Sequence, residues 1–201
     1  MESKIIIKDV RNHILQIGQI LISGKGFSAV GLNEILRSSG VPKGSFYHYF
    51  GSKEVFGEEL LKNYFINYQK SLEEILSCPG LSGAERLIRY CQSWLTVQSA
   101  YNTSGGCCLA VKLAAEVSDL SNPMRIVLKH GTDQVIERLA LAIDYGIYDG
   151  SLTVHLNSKM MASTIYQLWL GASLRTKITR DLEPMESAFV ITKEFLGLNR
   201  S

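Results

Sequence analysis

Residues 40–54, with the sequence GVPKGSFYHYFGSKE, place small, basic and aromatic side chains in one short helical segment. Gly44 and Ser45 keep one face of this helix small enough to enter the major groove of DNA. Phe46 and Phe50 can anchor the opposite face in a hydrophobic core. Side chains able to contact a phosphate or a base edge then point outward, namely Lys43, Ser45, Tyr47 and His48. The segment therefore favours recognition of nucleic acid.

A second run of residues that could do chemistry is Gly105-Gly106-Cys107-Cys108, at the start of a helical segment. A thiol in the first turn of a helix lies near the partial positive charge of the helix N-terminus, which favours the reactive thiolate. A nearby ammonium group would favour the thiolate further, and Lys112 or Lys177 could supply one. The alternative is that Cys107 and Cys108 are small buried hydrophobic residues.

The other two cysteines have less distinctive settings. Cys91 lies on the apolar face of a helical segment and is interpreted as a core residue, and Cys78 beside a Pro-Gly turn is interpreted as incidental. None of the four cysteines has the CxxC spacing of a zinc site. An acid/base pair, a phosphate loop and a nucleophile elbow are also lacking. We therefore expect no metal, no cofactor and no enzymatic function.

Composition agrees with a folded globular protein, because 46% of the 201 residues are hydrophobic and 20% are charged. No stretch approaches the roughly 20 apolar residues that span a bilayer, and no signal-peptide pattern is present. We expect a cytoplasmic protein without a membrane partner. The net charge of +2 is unevenly distributed, with seven Lys and Arg against four Asp and Glu in residues 1–55. The basic excess thus coincides with the segment that favours nucleic acid.

Helical periodicity runs through almost the whole chain, which predicts an all-α fold of nine or ten helices. Asp9 can cap a first helix that Gly26 ends. A short second helix opens after Gly31, and a third runs from about Pro42 to Tyr49. Two short helices joined by a three-residue turn containing glycine are the signature of a helix-turn-helix.

The remaining three-quarters of the chain also shows helical spacing with recognisable ends. The signals are a cap at Ser52, a capping box at Ser82 and Glu85, a loop at 102–106, helices at about 107–117 and 124–145, a cap at Asn157 or Ser158, and a last helix starting at Pro184. We expect a helix-turn-helix DNA-binding domain over residues 1–55. Residues 56–201 would form an effector-sensing and dimerisation domain built as a helical bundle.

Residues 10 to about 56 resemble the DNA-binding domain of the TetR family of repressors in the positions of glycine, aromatic and lysine residues. The resemblance implies a TetR-like fold and a homodimer bound to a palindromic double-stranded DNA operator. It implies that Lys53, at a helix N-terminus, holds a backbone phosphate. The DNA-contacting residues implied by the resemblance are Gly31, Pro42, Lys43, Gly44, Ser45, Tyr47, His48 and Lys53.

Two positions depart from the commonest pattern of this family. Many members have Ser or Thr where this chain has Val30-Gly31, and Ser where it has Pro42. Those two hydroxyl contacts are absent here, although Gly31 still offers its backbone amide. The alternative for Tyr47, His48 and Tyr49 is an aromatic cluster in a packed core.

Residues 104–121 and 168–174 resemble the NemR-like branch of the TetR family, whose members release DNA when electrophiles or oxidants modify a reactive cysteine. The resemblance places Cys108 at the position of that cysteine, with Cys107 as an additional thiol. It also implies a dimer interface formed by the helices at about 124–146 and 158–179. A small-molecule electrophile is then the third partner, beside the operator and a second copy of the chain.

Two kinds of alternative stay open at this point. A TetR-type repressor could instead bind a non-covalent ligand in an aromatic pocket, for which the candidates are Tyr90, Trp94, Tyr101, Tyr166 and Trp169. At helical spacing the same five residues could be plain core. From other classes, the chain could be a helical ligand-binding protein or enzyme without DNA binding, or its helix-turn-helix could serve protein contacts only.

Overall fold

The computed structural model describes residues 9–104 and 109–198, with side chains for all of these except 97–104. Over those ranges the chain forms nine α-helices and no strand, which confirms the all-α fold. The helices are α1 (Val10–Lys25), α2 (Leu32–Ser39), α3 (Lys43–Phe50), α4 (Lys53–Leu76), α5 (Gly83–Ser104), α6 (Leu109–Leu120), α7 (Asn122–Tyr148), α8 (Ser158–Thr179) and α9 (Glu183–Phe195).

Several predicted helix ends are confirmed by their capping bonds. The Asp9 carboxylate accepts the backbone amide three residues ahead at 3.0 Å, and α1 ends at Gly26 in a conformation with φ 97°. At the start of α5 the Ser82 amide donates to the Glu85 carboxylate at 2.8 Å, while the Glu85 amide donates to the Ser82 hydroxyl at 3.3 Å. This is the predicted capping box. Asn157 likewise accepts two backbone amides at the start of α8.

Two predicted boundaries are wrong. The loop expected at 102–106 does not begin there, because α5 continues through Ser104. The helix expected to begin near Met124 begins at Asn122. The reason is that Ser121 takes the capping position, where its carbonyl accepts the first helical bond of α7 and its hydroxyl accepts the Met124 amide at 3.4 Å.

The described chain divides into two compact units, each with its own hydrophobic core. The first contains residues 9–65 and 109–128, and the second contains 66–104 and 129–198. The first unit therefore includes α6, whose buried Leu109, Leu113 and Val117 belong to the same core as the first three helices. This division follows packing alone, so the functional boundary expected near residue 55 stays a prediction.

The first unit depends on close packing of α1 against α4. Gly18 of α1 faces the fully buried ring of Phe56, and a Cβ atom at position 18 would overlap the Cζ atom of that ring. The Phe56 ring in turn packs between those of Phe46 and Phe50, with centroids 5.3 and 5.1 Å away. The fully buried ring is thus in contact with two other rings as well as with Gly18.

We predict that Gly18→Ala lowers the free energy of unfolding by about 1–3 kcal/mol, because the added methyl group overpacks a closed core. Gly24→Ala is the matched control in the same helix, since a Cβ atom at position 24 meets nothing within 4 Å. Alanine there should be neutral or stabilising by up to about 1 kcal/mol. Urea unfolding followed by circular dichroism measures both values, and equal effects of the two substitutions would contradict the proposed overlap.

Candidate nucleic-acid interface

The predicted helix-turn-helix is present, with α2 and α3 joined by residues 40–42. Gly40 adopts the left-handed conformation with φ 66°, which lets the chain leave α2 sharply and favours glycine at this position. The C-terminal end of α2 is tied to α1, because a ring nitrogen of His13 lies 3.0 Å from the Ser39 carbonyl oxygen. The three helices therefore meet around one short turn.

The inner face of α3 is aromatic, as predicted. Phe46 and Phe50 are buried, and their ring centroids lie 5.1 Å apart. Both pack against Phe56 at the start of α4. An eight-residue helix has little stability of its own, so these rings are what hold α3 in place.

The outer side of α3 and the start of α2 carry the other residues predicted to contact DNA. No side chain caps the N-terminus of α2 or α3, so their first backbone amides have no such acceptor. The Lys43 ammonium lies 5.7 Å from the centroid of the Tyr47 ring. The exposed residues are Gly31, Pro42, Lys43, Gly44, Tyr47 and His48, and Ser45 is half-buried.

Tyr49 is also exposed, although the sequence argument did not assign it a contact. Its ring centroid lies 5.0 Å from that of His48. A run of three aromatic side chains on an eight-residue helix cannot all face inward, which was the signal available in the sequence. Exposure of Tyr47 and Tyr49 argues against a wholly buried aromatic cluster.

Lys53 is the first residue of α4, as predicted, but its ammonium has a partner inside the protein. The Nζ atom donates to the Phe27 carbonyl oxygen at 2.8 Å and lies 4.6 Å from the centroid of the Phe27 ring. Burial lowers the pKa of Lys53, and the negative charge of Glu116 partly opposes that effect. An ammonium group has three donors, so this bond leaves others for a phosphate.

One charged residue of α6 binds the connection between α1 and α2, and another binds the last turn of α1. Neither contact is evident from the sequence. The Glu116 carboxylate accepts the backbone amides of Phe27 at 3.0 Å and Ser28 at 2.6 Å. Lys112, one turn earlier, donates to the Gly24 carbonyl oxygen at 3.3 Å. Burial raises the pKa of Glu116, but hydrogen bonds from Ser28 and Phe27 outweigh burial and leave the pKa lowered.

The two predicted sensor cysteines, Cys107 and Cys108, lie outside the described residues. Of the two lysines proposed to assist them, Lys112 belongs to α6 in the first unit, and Lys177 is exposed on α8 in the second. The assignment of these four residues to a sensing site stays a prediction.

The structure describes the other two cysteines. Cys91 is buried in the second core, and burial raises the pKa of its thiol to about 12, which confirms its interpretation as a core residue. Cys78 is half-buried, and the Nη1 atom of Arg89 lies 3.3 Å from its sulfur. Of these two thiols, only that of Cys78 is open to solvent.

Four of the five aromatic residues proposed for a pocket are buried together in the second core. The ring centroid of Trp94 lies 6.3, 6.2 and 5.9 Å from those of Tyr90, Tyr166 and Trp169, respectively. The side chain of Tyr101 lies outside the description. An open groove of about 660 Å³ between α7 and α8 is lined by other residues. The pocket therefore stays a prediction, while packing of the four rings is observed.

Among the described residues, no three His, Cys, Asp or Glu side chains come close enough to hold a metal ion. None of the described helices combines the length and apolar character that crossing a membrane requires.

Comparison with known families agrees with the geometry over both units. The family of "Bacterial regulatory proteins, tetR family" matches residues 14–60, and a "Tetracyclin repressor-like, C-terminal domain" matches residues 83–191. The chain belongs to the TetR family. Among curated TetR-family relatives, the "HTH-type transcriptional repressor NemR" of Escherichia coli K12 is 40% identical over 189 residues, which are 94% of either chain.

Solved structures place this TetR-family chain in the same branch. The crystal structure of E. coli NemR in a reduced form matches with a TM-score of 0.91 and 40% identity, covering 96% of this chain and 100% of that one. A putative TetR/AcrR regulator matches with a TM-score of 0.83 and 44% identity, covering 93% and 98%. The predicted TetR-like fold and NemR-like resemblance are confirmed. Because the NemR relative is a transcriptional repressor, it also supports the expectation that the chain is not an enzyme.

Proposed function

We propose that the chain is a homodimeric transcriptional repressor that binds a palindromic operator and releases it when Cys108 reacts with an electrophile or an oxidant. The observation that carries DNA binding is the two-sided character of α3. Its inner face is held by buried Phe46 and Phe50, while Lys43, Tyr47 and His48 are exposed. A helix anchored in this way can enter the major groove without unfolding its own core.

Each exposed residue has a chemical role in this proposal. Gly44 has no side chain and Ser45 is half-buried, so the backbone of α3 can approach the base edges closely. The Lys43 ammonium and the Tyr47 hydroxyl suit phosphate oxygens, and the His48 ring suits a base edge or phosphate. Lys53 and the uncapped backbone amides at the start of α2, which follow Gly31, would bind phosphates of the DNA backbone on either side.

A dimer follows from the geometry of the operator. Two recognition helices must enter successive major grooves of a palindrome about 34–36 Å apart, which requires two copies of the chain. Large apolar side chains are exposed on the two helices expected to form the interface, with Leu141 of α7 at 59%, Leu174 of α8 at 50% and Ile178 of α8 at 65%. A partner copy would remove these side chains from water.

The thiol switch is supported by the position of Cys108 in the chain. α6 begins at Leu109, directly after Cys108, and the same helix contacts the α1–α2 connection through Glu116. The E. coli NemR structure represents a reduced form, which is consistent with redox chemistry in that relative. With an electron-poor alkene such as a maleimide, the Cys108 thiolate would form an S–C bond to the β-carbon of the alkene as the C=C π bond breaks, and a proton from solvent would add to the α-carbon. The added bulk would favour a conformation with lower operator affinity.

For DNA binding, we predict that Lys43→Met weakens operator affinity and reduces the slope of log affinity against log salt by about 1. The matched control is Lys129→Met, which removes the same charge from α7, where the ammonium pairs with Asp133 at 2.6 Å. Fluorescence anisotropy at several salt concentrations measures both slopes. An unchanged slope for Lys43→Met would exclude the proposed phosphate contact.

For the dimer, we predict that Leu174→Glu raises the dimer dissociation constant at least about tenfold, because it places a charge in an apolar interface. Ile20→Glu is the control, since Ile20 is 69% exposed on α1 and outside the expected interface. Sedimentation velocity over a range of concentrations separates monomer from dimer. A Leu174→Glu protein as dimeric as the Ile20→Glu protein would contradict the assignment.

For the switch, we predict that N-ethylmaleimide releases the wild-type protein and the Cys107→Ser protein from the operator, whereas the Cys108→Ser protein stays bound. Peptide mass spectrometry should find the adduct on Cys108 and none on Cys91 in the folded protein, because the Cys91 thiol is buried and protonated. Normal release of the Cys108→Ser protein would refute the switch. Release of wild-type protein by a ligand that adds no mass would favour the non-covalent alternative.

A further inference from the structure

One residue of the α1–α2 connection is held from two sides. The Phe27 amide donates to the Glu116 carboxylate of α6 at 3.0 Å, and the Phe27 carbonyl accepts the Lys53 ammonium of α4 at 2.8 Å. The neighbouring Ser28 amide donates to the second oxygen of the same carboxylate at 2.6 Å. Charge-assisted bonds of this kind are stronger than those between neutral groups. Glu116 and Lys53 are therefore linked through the peptide groups of Phe27.

The fit between the connection and Glu116 is close. Gly26 precedes Phe27 with φ 97°, and a Cβ atom at position 26 would lie 3.0 Å from the Oε2 atom of Glu116. Glycine is thus needed at this position for both conformation and space. The Phe27 side chain is buried, and the bond from its amide to the carboxylate is partly buried. Moving the carboxylate would move the Phe27 carbonyl that Lys53 binds.

We propose that Glu116 is a positioning residue for operator binding, because it fixes the Phe27 carbonyl that directs the Lys53 ammonium at the N-terminus of α4. This inference rests on the proposed function, in which Lys53 binds a DNA phosphate. Glu116 itself does not contact DNA. Its carboxylate controls where the phosphate-binding group lies.

A purely electrostatic role for Glu116 makes the opposite prediction. A negative charge near a DNA-binding surface repels phosphate, so removing that charge alone would tighten operator binding. If Glu116 positions Lys53, the Glu116→Gln substitution weakens binding, because glutamine keeps only one acceptor oxygen and one of the two backbone amides of the connection loses its partner. The sign of the change in affinity therefore separates the two roles.

The experiment compares Glu116→Gln, Lys53→Met and the double variant with Asp119→Asn, using the full chain and operator DNA. Asp119 is the matched control, since it is exposed on the same helix and carries the same charge. We expect Glu116→Gln to weaken operator binding about tenfold and to lower the salt slope by about 0.9, as Lys53→Met does. The double variant should bind like Lys53→Met alone, because the two residues act through one contact. Asp119→Asn should bind as tightly as wild type or more tightly.

The outcomes separate this inference from the proposed function. If neither Lys53→Met nor Lys43→Met changes operator affinity or salt slope, the proposed DNA interface is wrong. If Lys53→Met weakens binding while Glu116→Gln tightens it, or if the two effects add, the positioning role of Glu116 is overturned. Thermal unfolding by circular dichroism checks that each variant is folded. If Glu116→Gln is unstable, Glu116→Asp replaces it, since aspartate keeps the charge but has a shorter side chain. Its salt slope, alone and combined with Lys53→Met, is then compared in the same way.

Discussion

The ring of Phe56 occupies the space that a side chain at position 18 would need. The orientation of α3 depends on this ring. Phe46 and Phe50 pack against the same ring and form the inner face of α3. An eight-residue helix is not stable alone, so its orientation comes from this aromatic packing. The exposed face is consequently determined by which residues are buried behind it.

A different kind of contact holds the connection that precedes α2. Here the partners are the Glu116 carboxylate and the Lys53 ammonium, which bind backbone groups of Phe27 and Ser28. Apolar packing is non-directional and tolerates small shifts, whereas hydrogen bonds weaken steeply with distance and angle. The Glu116 bonds therefore depend more steeply on the position of α6 than apolar packing does. The first unit thus combines a helix held by apolar packing with a connection held by directional bonds to α6.

Local chemistry explains which parts of the fold were predictable. Caps and turns such as Asp9, Gly40 and the box at Ser82 depend on residues within one helical turn, so the sequence alone reveals them. The exposed face of α3 was predictable because glycine, lysine and phenylalanine alternate at helical spacing. The continuation of α5 to Ser104 was not, since the polar residues there resemble a loop.

The features that the sequence did not reveal are mostly contacts between residues far apart in the chain. Glu116 lies four residues after Lys112, a spacing typical of an exposed ion pair on one helix. Its actual partners are separated from it by 89 and 88 residues along the chain, and no local pattern indicates them. Likewise, helical spacing cannot distinguish rings that line a pocket from rings that pack together, and Trp94 and Trp169 pack together.

The inclusion of α6 in the first core has a consequence for how the protein is made. A ribosome releases the N-terminal end first, and domains fold as units once all their residues are available. Leu109, Leu113, Val117 and Met124 belong to the core of the helix-turn-helix, so that core stays incomplete until the segment ending at residue 128 has emerged. A product truncated before α6 would expose the apolar faces of its first helices to proteases and chaperones. Such a fragment would therefore be degraded rather than accumulate as a folded helix-turn-helix.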